Sequence, residues 1–172
     1  MIVAIAAAAL AAQAAPVATA DAIAYFRHVC VDTLPDPARF AAALAEPGDW
    51  EPFEKSDRGA RVIGHFWRSA RGELGYLYLP GMRVFQTDPA CHYSFRTDAG
   101  YSHTEARAAL ARALGLDAGR ETGNVRAPQT RWETRLPNGT RARIFLSSAV
   151  PDLGGPAAAL SISAYPGSHP SE

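Results

Sequence analysis

Two cysteines, Cys30 and Cys91, constrain the fold of this chain of 172 residues more than any other feature. Cys91 lies in a stretch of alternating apolar and polar residues, which is typical of a half-buried strand. Cys30 follows Ile23 and Phe26 at helical spacing, so the three residues share one stripe of a helix. In an exported chain, an even number of cysteines favours a disulfide. The sequence therefore predicts a bond between Cys30 and Cys91 that ties a leading helix to the middle of a sheet.

The same cysteines allow a second interpretation, because His28 and His92 lie close to them in the sequence and offer further metal ligands. On a helix, positions 28 and 30 are about 200° apart, and on a strand, positions 91 and 92 point to opposite faces. Four convergent ligands are hard to assemble from that arrangement. We therefore expect neither a metal nor another cofactor.

The first twenty residues contain no charged side chain and are mostly alanine. This stretch is too short and too rich in alanine for a membrane span. Its end, Ala18-Thr19-Ala20, fits the small-x-small rule of a signal-peptidase site. We expect a signal peptide over residues 1–20, cleavage after Ala20, and a periplasmic or secreted protein without a membrane span in the mature chain. The alternative is an alanine-rich tail behind a misassigned start codon.

The charge balance bears on the class of partner. Lys+Arg and Asp+Glu both number 17, so the formal net charge is zero. This balance argues against a nucleic-acid role and against electrostatic adhesion to an anionic membrane. A length of 172 residues favours one domain. We expect a single domain over residues 21–166 and a disordered tail over residues 167–172.

Capping signals predict three helices. The first begins at Asp21, and the second has Asp36 as its N-cap with Pro37 at the first helical position. The third opens with the capping box Ser102-His103-Thr104-Glu105 and ends at Gly115. These three segments account for the helical periodicity that the sequence contains.

Alternating apolar residues predict the strands, at residues 61–68, 74–79, 82–86, 90–96, 130–136, 140–148 and 158–165. Asn138-Gly139 joins two of these strands in the clearest hairpin, and the polar residues 117–128 are expected to form a loop. Strands that follow one another in hairpins favour an α+β fold over alternating βαβ units. We expect an antiparallel sheet of about six strands with helices packed on one face, in the order αα-βββ(β)-α-βββ.

Aromatic and polar side chains on these strands form a candidate binding face. The aromatic members are either a stacking platform for a sugar or a partner protein, or the core beneath the helices, and the sequence favours the core. A small hydrolase is a further alternative, in which His65, His92 and Ser94 share one sheet face, although no nucleophile elbow or Ser-x-x-Lys pattern accompanies them. The candidate residues are His65, Trp67, Tyr76, Tyr78, His92 and Ser94.

The predicted hairpin carries arginines at alternating positions on both arms, beside Glu133. They are Arg131, Arg135, Arg141 and Arg143. Two interpretations exist for this arrangement: a solvated face that keeps the protein soluble, which the sequence favours, and a binding patch.

The chain also resembles a group of proteins. Phe26 and Cys30 on the first helix, Trp50 in the loop after the second helix and Cys91 on a mid-chain strand are similar to features of small uncharacterised exported proteins of GC-rich bacteria. The resemblance covers roughly residues 21–95. It implies export and one α+β domain, and it implies no activity or catalytic residue.

These observations predict an exported binding or inhibitor-like module without catalytic activity, acting on an envelope protein or a glycan. One alternative is a structural accessory of an envelope assembly, and a less favoured one is a hydrolase that uses His92 and Ser94.

Overall fold

The computed structural model describes residues 15–45, 49–54, 56–57, 60–61, 64–77, 90–148 and 157–165. The expected strand at 82–86, Tyr78, the expected tail at 167–172 and residues 1–14 of the expected signal peptide lie outside these ranges. Within them the chain forms three α-helices, one π-helical segment and ten strands. The prediction of an α+β fold is therefore confirmed.

The helices occupy the first third and the middle of the chain. Helix α1 spans Thr19–Phe26 and continues as the π-helical segment Arg27–Val31, while α2 spans Pro37–Leu44 and α3 spans His103–Leu114. The strands are β1 Glu51–Phe53, β2 Ser56–Asp57, β3 Ala60–Arg61, β4 His65–Ser69, β5 Gly72–Leu77, β6 Ala90–Arg96, β7 Arg120–Asn124, β8 Ala127–Arg135, β9 Arg141–Ser148 and β10 Ala157–Ala164.

Eight of the strands form one antiparallel sheet in the order β1-β4-β5-β6-β10-β9-β8-β7, and β2 pairs with β3 separately. The order of strands is symmetric about the centre of the sheet. Each half is a four-stranded meander that follows helical segments in the chain and runs from an edge to the centre. The last strands of the two meanders, β6 and β10, pair at the centre. The similarity of the two halves is therefore one of topology.

The prediction of about six strands is roughly right, but the sheet has eight strands and the order of elements along the chain differs from the expected one. The additional edge strand β1 lies where a loop was expected, and β7 lies within the expected loop 117–128. All five residues of β7 are exposed, so the strand lacks the apolar alternation that identifies half-buried strands. Gly123 has φ +85° and pairs with Pro128 next to the turn that joins β7 to β8.

Caps explain the helix boundaries. The Asp36 carboxylate accepts hydrogen bonds from the backbone N–H groups of Ala38 (2.8 Å) and Arg39 (3.2 Å), as predicted for an N-cap. The Ser102 hydroxyl accepts one from Glu105 N–H, and Gly115 ends α3 with φ +64°. Helix α1 departs from the prediction, since it begins at Thr19 and places Asp21 in its first turn.

The helices cover one face of the sheet, which we call the helix face. Residues that pair directly across strands share a face, and one row of them on this face consists of Leu74, Tyr93, Leu160, Leu146 and Thr130. All five are at most 1% exposed. The opposite face is called the outer face, and none of the described helices lies on it.

The predicted disulfide is confirmed and joins the two layers. Cys30 lies in the π-helical segment and Cys91 lies on β6, with their Cα atoms 5.4 Å apart. Both residues are fully buried. The helical layer is therefore covalently attached to the strand at the centre of the sheet.

Candidate functional site

The structure separates the candidate binding residues between the two faces. Trp67 and Tyr76 lie on the helix face, where Phe40 packs on both rings at centroid distances of 5.4 and 4.4 Å. Tyr76 is 3% exposed, and its hydroxyl donates to the carbonyl oxygen of Pro35 (3.3 Å). These aromatic residues therefore belong to the core beneath the helices.

The histidines of the candidate site are separated in the same way. His65 pairs with Tyr76 and lies exposed at the helix face, whereas His92 pairs with Gly75 on the outer face. The expected grouping of His65 with His92 and Ser94 is therefore wrong. His92 Nε2 does lie 2.7 Å from Ser94 Oγ, two residues along β6. Ser94 is 3% exposed, so this hydroxyl is nearly inaccessible to solvent.

His92 occupies the middle of a row that crosses the outer face. On one side of His92 lies Gly75, and the Phe66 ring packs over this glycine. A Cβ on residue 75 would lie 2.9 Å from that ring. On the other side the row continues through Ser161 to Phe145. The centre of the outer face is thus made of small and polar side chains between two phenylalanines.

An arginine-rich region occupies the outer face over β7, β8 and β9. Its charged members share this face because they pair as Arg120 with Arg131, Glu133 with Arg143, and Arg135 with Arg141. Five cations and one anion give this region a charge of 5 − 1 = +4 on a chain whose formal net charge is zero. We call these six residues the arginine patch.

Contacts within the arginine patch hold its side chains in place. The Glu133 carboxylate lies 3.4 Å from the Arg131 guanidinium and 3.5 Å from that of Arg143. Arg143 donates to the Tyr165 hydroxyl (3.1 Å), and the guanidinium carbons of Arg143 and Arg141 each lie 5.0 Å from the centre of the Tyr165 ring. A hydrogen bond from Tyr165, followed by the charges of Arg131 and Arg143, lowers the pKa of Glu133 and keeps it ionised.

A second polar cluster lies under the start of α3, on the helix face. The Ser148 hydroxyl is 2.7 Å from both the Tyr101 hydroxyl and His103 Nδ1, and His103 Nε2 is 3.0 Å from the Thr130 hydroxyl. Burial lowers the pKa of His103 and raises that of Tyr101. A neutral imidazole donates through one nitrogen and accepts through the other, so it can bond both hydroxyls at once. We call Tyr101, His103, Thr130 and Ser148 the His103 network.

Two adjoining cavities follow the groove between α1 and α3. Their volumes are about 560 and 480 Å³, and Ala20, Ala109 and Arg112 line both. The smaller cavity is lined by Ile23 and several alanines together with four charged or polar side chains, Arg27, His28, Asp32 and Arg112. The groove therefore has a mixed wall of alanine and charged side chains, and the beginning of α1 forms part of it.

Within the described ranges, no three His, Cys, Asp or Glu side chains converge in a way that would hold a metal ion. Over the same residues, no helix is long and apolar enough to cross a membrane.

The His103 network was missed in the sequence, where His103 counted only as part of a capping box. The register of the hairpin could have shown that Thr130 and Ser148 share a face. The Asn138-Gly139 turn sets Thr130 opposite Leu146, and Ser148 lies two residues beyond Leu146 on the same face of β9. The arginine patch was visible in the alternation on the hairpin arms. Arg120 could not be assigned to the arginine patch from the sequence, because β7 was expected to be a loop.

A scan against protein-family models found no match to this chain, and searches of curated proteins and of solved structures found none either.

Proposed function

We propose that the protein is an exported binding module without catalytic activity, which binds an acidic protein surface through the arginine patch. The observation that carries this proposal is the charge of +4 on one region of a neutral chain. Complementary charge steers association and selects partners. Arginine and tyrosine are also the residues that contribute most often to binding energy at protein interfaces.

Two features favour a protein partner over a nucleic acid. Glu133 lies between Arg131 and Arg143, so a phosphate backbone crossing the patch would meet a carboxylate. Phe145 lies beside Arg131 on the same face and supplies apolar contact area next to the charges. Aromatic area beside arginine matches the composition of protein interfaces.

Export is the second part of the proposal. The buried disulfide between Cys30 and Cys91 supports it, because such bonds persist in oxidising compartments and are rare in the cytosol. The leader-like composition of residues 1–20 is its independent support in the sequence.

The test uses capture from an envelope extract, with the mature protein immobilised under non-reducing conditions. The charge-reversal variant is Arg131→Glu/Arg143→Glu, and the matched control is Arg39→Glu/Arg112→Glu, which changes the net charge equally on exposed helical positions. We expect one protein to bind the wild type and the control, to be lost with the reversal variant, and to bind more weakly as salt rises.

Retention of the same protein by the reversal variant would show that binding uses another surface. Equal binding of single-stranded DNA and of the captured protein would indicate a polyanion site. Recovery of the chain only within a large complex of fixed stoichiometry would favour the structural accessory.

The hydrolase remains a second candidate because His92 Nε2 lies 2.7 Å from Ser94 Oγ, within the range of a nucleophile and its general base. A fluorophosphonate probe tests it directly. Labelling of the wild type but not of Ser94→Ala would support a serine hydrolase, and absence of labelling would leave the binding module.

A further inference from the structure

We propose that the partner binds as an extended strand along β7, the edge of the sheet that borders the arginine patch. The occupant is a segment of a partner protein in which acidic residues alternate with uncharged ones. This inference deepens the proposed function and rests on it, because it assigns a conformation and a charge pattern to the acidic partner of the arginine patch.

Strand β7 has an unpaired edge. It is the last strand of the eight-stranded sheet, and among the described strands it pairs only with β8. All five of its residues are exposed. The outer edge of such a strand presents backbone N–H and C=O groups that can pair with a strand of another chain. Strand addition of this kind is a recurring mode of peptide recognition.

Pro128 on β8 determines which backbone groups of β7 face outward. In an antiparallel pair, residues that exchange both N–H···O bonds alternate with residues that exchange none. Pro128 has no N–H, so its pair with Gly123 exchanges none, and the neighbouring pair of Thr122 with Gln129 exchanges both. The C=O and N–H of one peptide unit point in opposite directions. The N–H and C=O of Glu121 and the N–H of Gly123 therefore point away from β8 and can bond a further strand.

Contacts at both ends hold β7 extended before any partner binds. The Glu121 carboxylate forms an ion pair with the Arg107 guanidinium of α3. At the other end, the side-chain oxygen of Asn124 accepts hydrogen bonds from the N–H groups of Arg126 (2.9 Å) and Ala127 (3.0 Å) and so closes the turn to β8. Binding to a strand that is already ordered costs less conformational entropy than binding to a flexible loop.

The charges around β7 favour an acidic segment with a two-residue period. Arg120 pairs with Arg131, so the outer-face side of β7 is the margin of the arginine patch. Residues of an added strand that lie opposite Arg120 and Thr122 share this face, where carboxylates are attracted. The residue opposite Glu121 lies on the helix face, where a further carboxylate would be repelled. Since side chains of a strand alternate between faces, the preferred segment is acidic at every second position.

The other pairings of sheet edges are disfavoured. Joining β7 to the β7 strand of a second copy would bring two arginine patches together, and like charges repel. The opposite edge of the sheet, β1, is three residues long, and its central residue, Pro52, has no N–H to donate. Short length and proline are features that protect an edge from pairing. Strand β7 is therefore the edge at which an acidic strand can add.

The test uses a short capped peptide in which aspartate alternates with valine and threonine, added to the disulfide-bonded protein. One control peptide has every internal amide N-methylated, so it keeps the charges but cannot donate hydrogen bonds. The other has the same composition with its aspartates contiguous. We expect the alternating peptide to slow hydrogen exchange at the N–H groups of Glu121 and Gly123. Both controls should bind at least about tenfold more weakly.

Two substitutions at residue 121 separate the backbone from the side chain. Glu121→Pro removes the outward N–H, whereas Glu121→Ala keeps it, and both lose the ion pair with Arg107. We expect Glu121→Ala to bind the peptide at least as tightly as the wild type, because a negative charge is lost. Glu121→Pro should bind at least about tenfold more weakly. Slow exchange of the Thr122 N–H checks that β7 still pairs with β8 in each variant, and the peptide controls do not depend on this check.

The outcomes distinguish this inference from the proposed function. Binding that Arg131→Glu/Arg143→Glu abolishes, but that neither N-methylation nor Glu121→Pro weakens, would overturn strand addition and leave the arginine patch as the binding surface. Binding that the charge-reversal variant leaves unchanged would contradict the proposed function as well. Protection of the Glu121 and Gly123 N–H groups that rises with protein concentration, without peptide, would show pairing of two copies and would also overturn the inference.

Discussion

Cys30 of the π-helical segment and Cys91 of β6 form a disulfide, so the helical layer is bonded to the central strand of the sheet. The bond closes a loop between residues that are 61 positions apart. Everything between them, from α2 to β5, lies within that covalent loop. The first half of the domain therefore depends on this bond more than the second half does.

Removing the disulfide should destabilise the protein substantially. For Cys30→Ala/Cys91→Ala we expect the free energy of unfolding to fall by about 2–4 kcal/mol, because the unfolded chain regains the entropy that the closed loop removes. Urea unfolding followed by tryptophan fluorescence measures this change. The reduced wild type serves as control and should unfold near the midpoint of the variant; a reduced protein as stable as the oxidised one would contradict the expectation.

Local signals in the sequence were sufficient for the elements that depend on local interactions. Asp36 and Ser102 cap the helices that they were expected to cap, and Gly115 ends α3 in the left-handed conformation. The disulfide followed from counting cysteines. In each of these cases the side chains that define the feature are close in sequence or have a single available partner.

The residues of the candidate site could not be grouped in the same way. Alternation assigned the two faces of each strand, but only strand register shows which faces of different strands coincide. His65 pairs with Tyr76, and Tyr76 pairs with Cys91, so His65 lies on the face opposite to His92. Strand β7 was missed because an exposed edge strand buries no side chain and so leaves no apolar pattern.

Acidification should weaken the His103 network. Burial lowers the pKa of His103 below its usual value of about 6.5, with Arg107 acting in the same direction and Glu121 opposing it. Between the lowered folded pKa and 6.5 the unfolded chain binds more protons, so stability rises with pH across this window. We therefore expect the free energy of unfolding to decrease as pH falls below about 6.5.

The free energy of unfolding in urea is measured from pH 7.5 to pH 5 in steps of about half a pH unit. The same series on the His103→Gln variant is the comparison. The glutamine amide retains a donor and an acceptor but does not titrate. We expect the slope of stability against pH in this window to be smaller in the variant. An unchanged slope would assign the pH dependence to other groups.

Two glycines with positive φ should respond differently to alanine. Gly72 has φ +136°, and a Cβ there would overlap the backbone carbonyl oxygen of Ser94 on β6. Gly139 has φ +86° in the β8–β9 turn, and a Cβ there would meet no atom within 4 Å. We expect Gly72→Ala to cost more than about 2 kcal/mol and Gly139→Ala about 1 kcal/mol. Urea midpoints compare them directly; equal losses would show that strain in φ, and not the clash, dominates at Gly72.

Neighbouring residues on β9 test the assignment of the two sheet faces. Ile144 is fully buried on the helix face, while Phe145 is half-buried on the outer face beside Arg131. We expect Ile144→Ala to lower the free energy of unfolding by about 2–5 kcal/mol, because it leaves a cavity in a packed core. Phe145→Ala should cost less than about 1.5 kcal/mol, since its ring already retains contact with solvent.

Binding of the captured protein should be affected in the opposite order, more by Phe145→Ala than by Ile144→Ala. Phe145 lies next to the arginine patch, so Phe145→Ala should weaken binding of the captured protein at a salt concentration where the variant is fully folded. Ile144→Ala should bind normally for as long as it stays folded, because its side chain lies under the helices. If Phe145→Ala unfolds as readily as Ile144→Ala, the outer face is as tightly packed as the helix face and does not form the binding surface. If Phe145→Ala stays stable and binds its partner unchanged, the contact does not extend from the arginine patch toward the centre of the sheet.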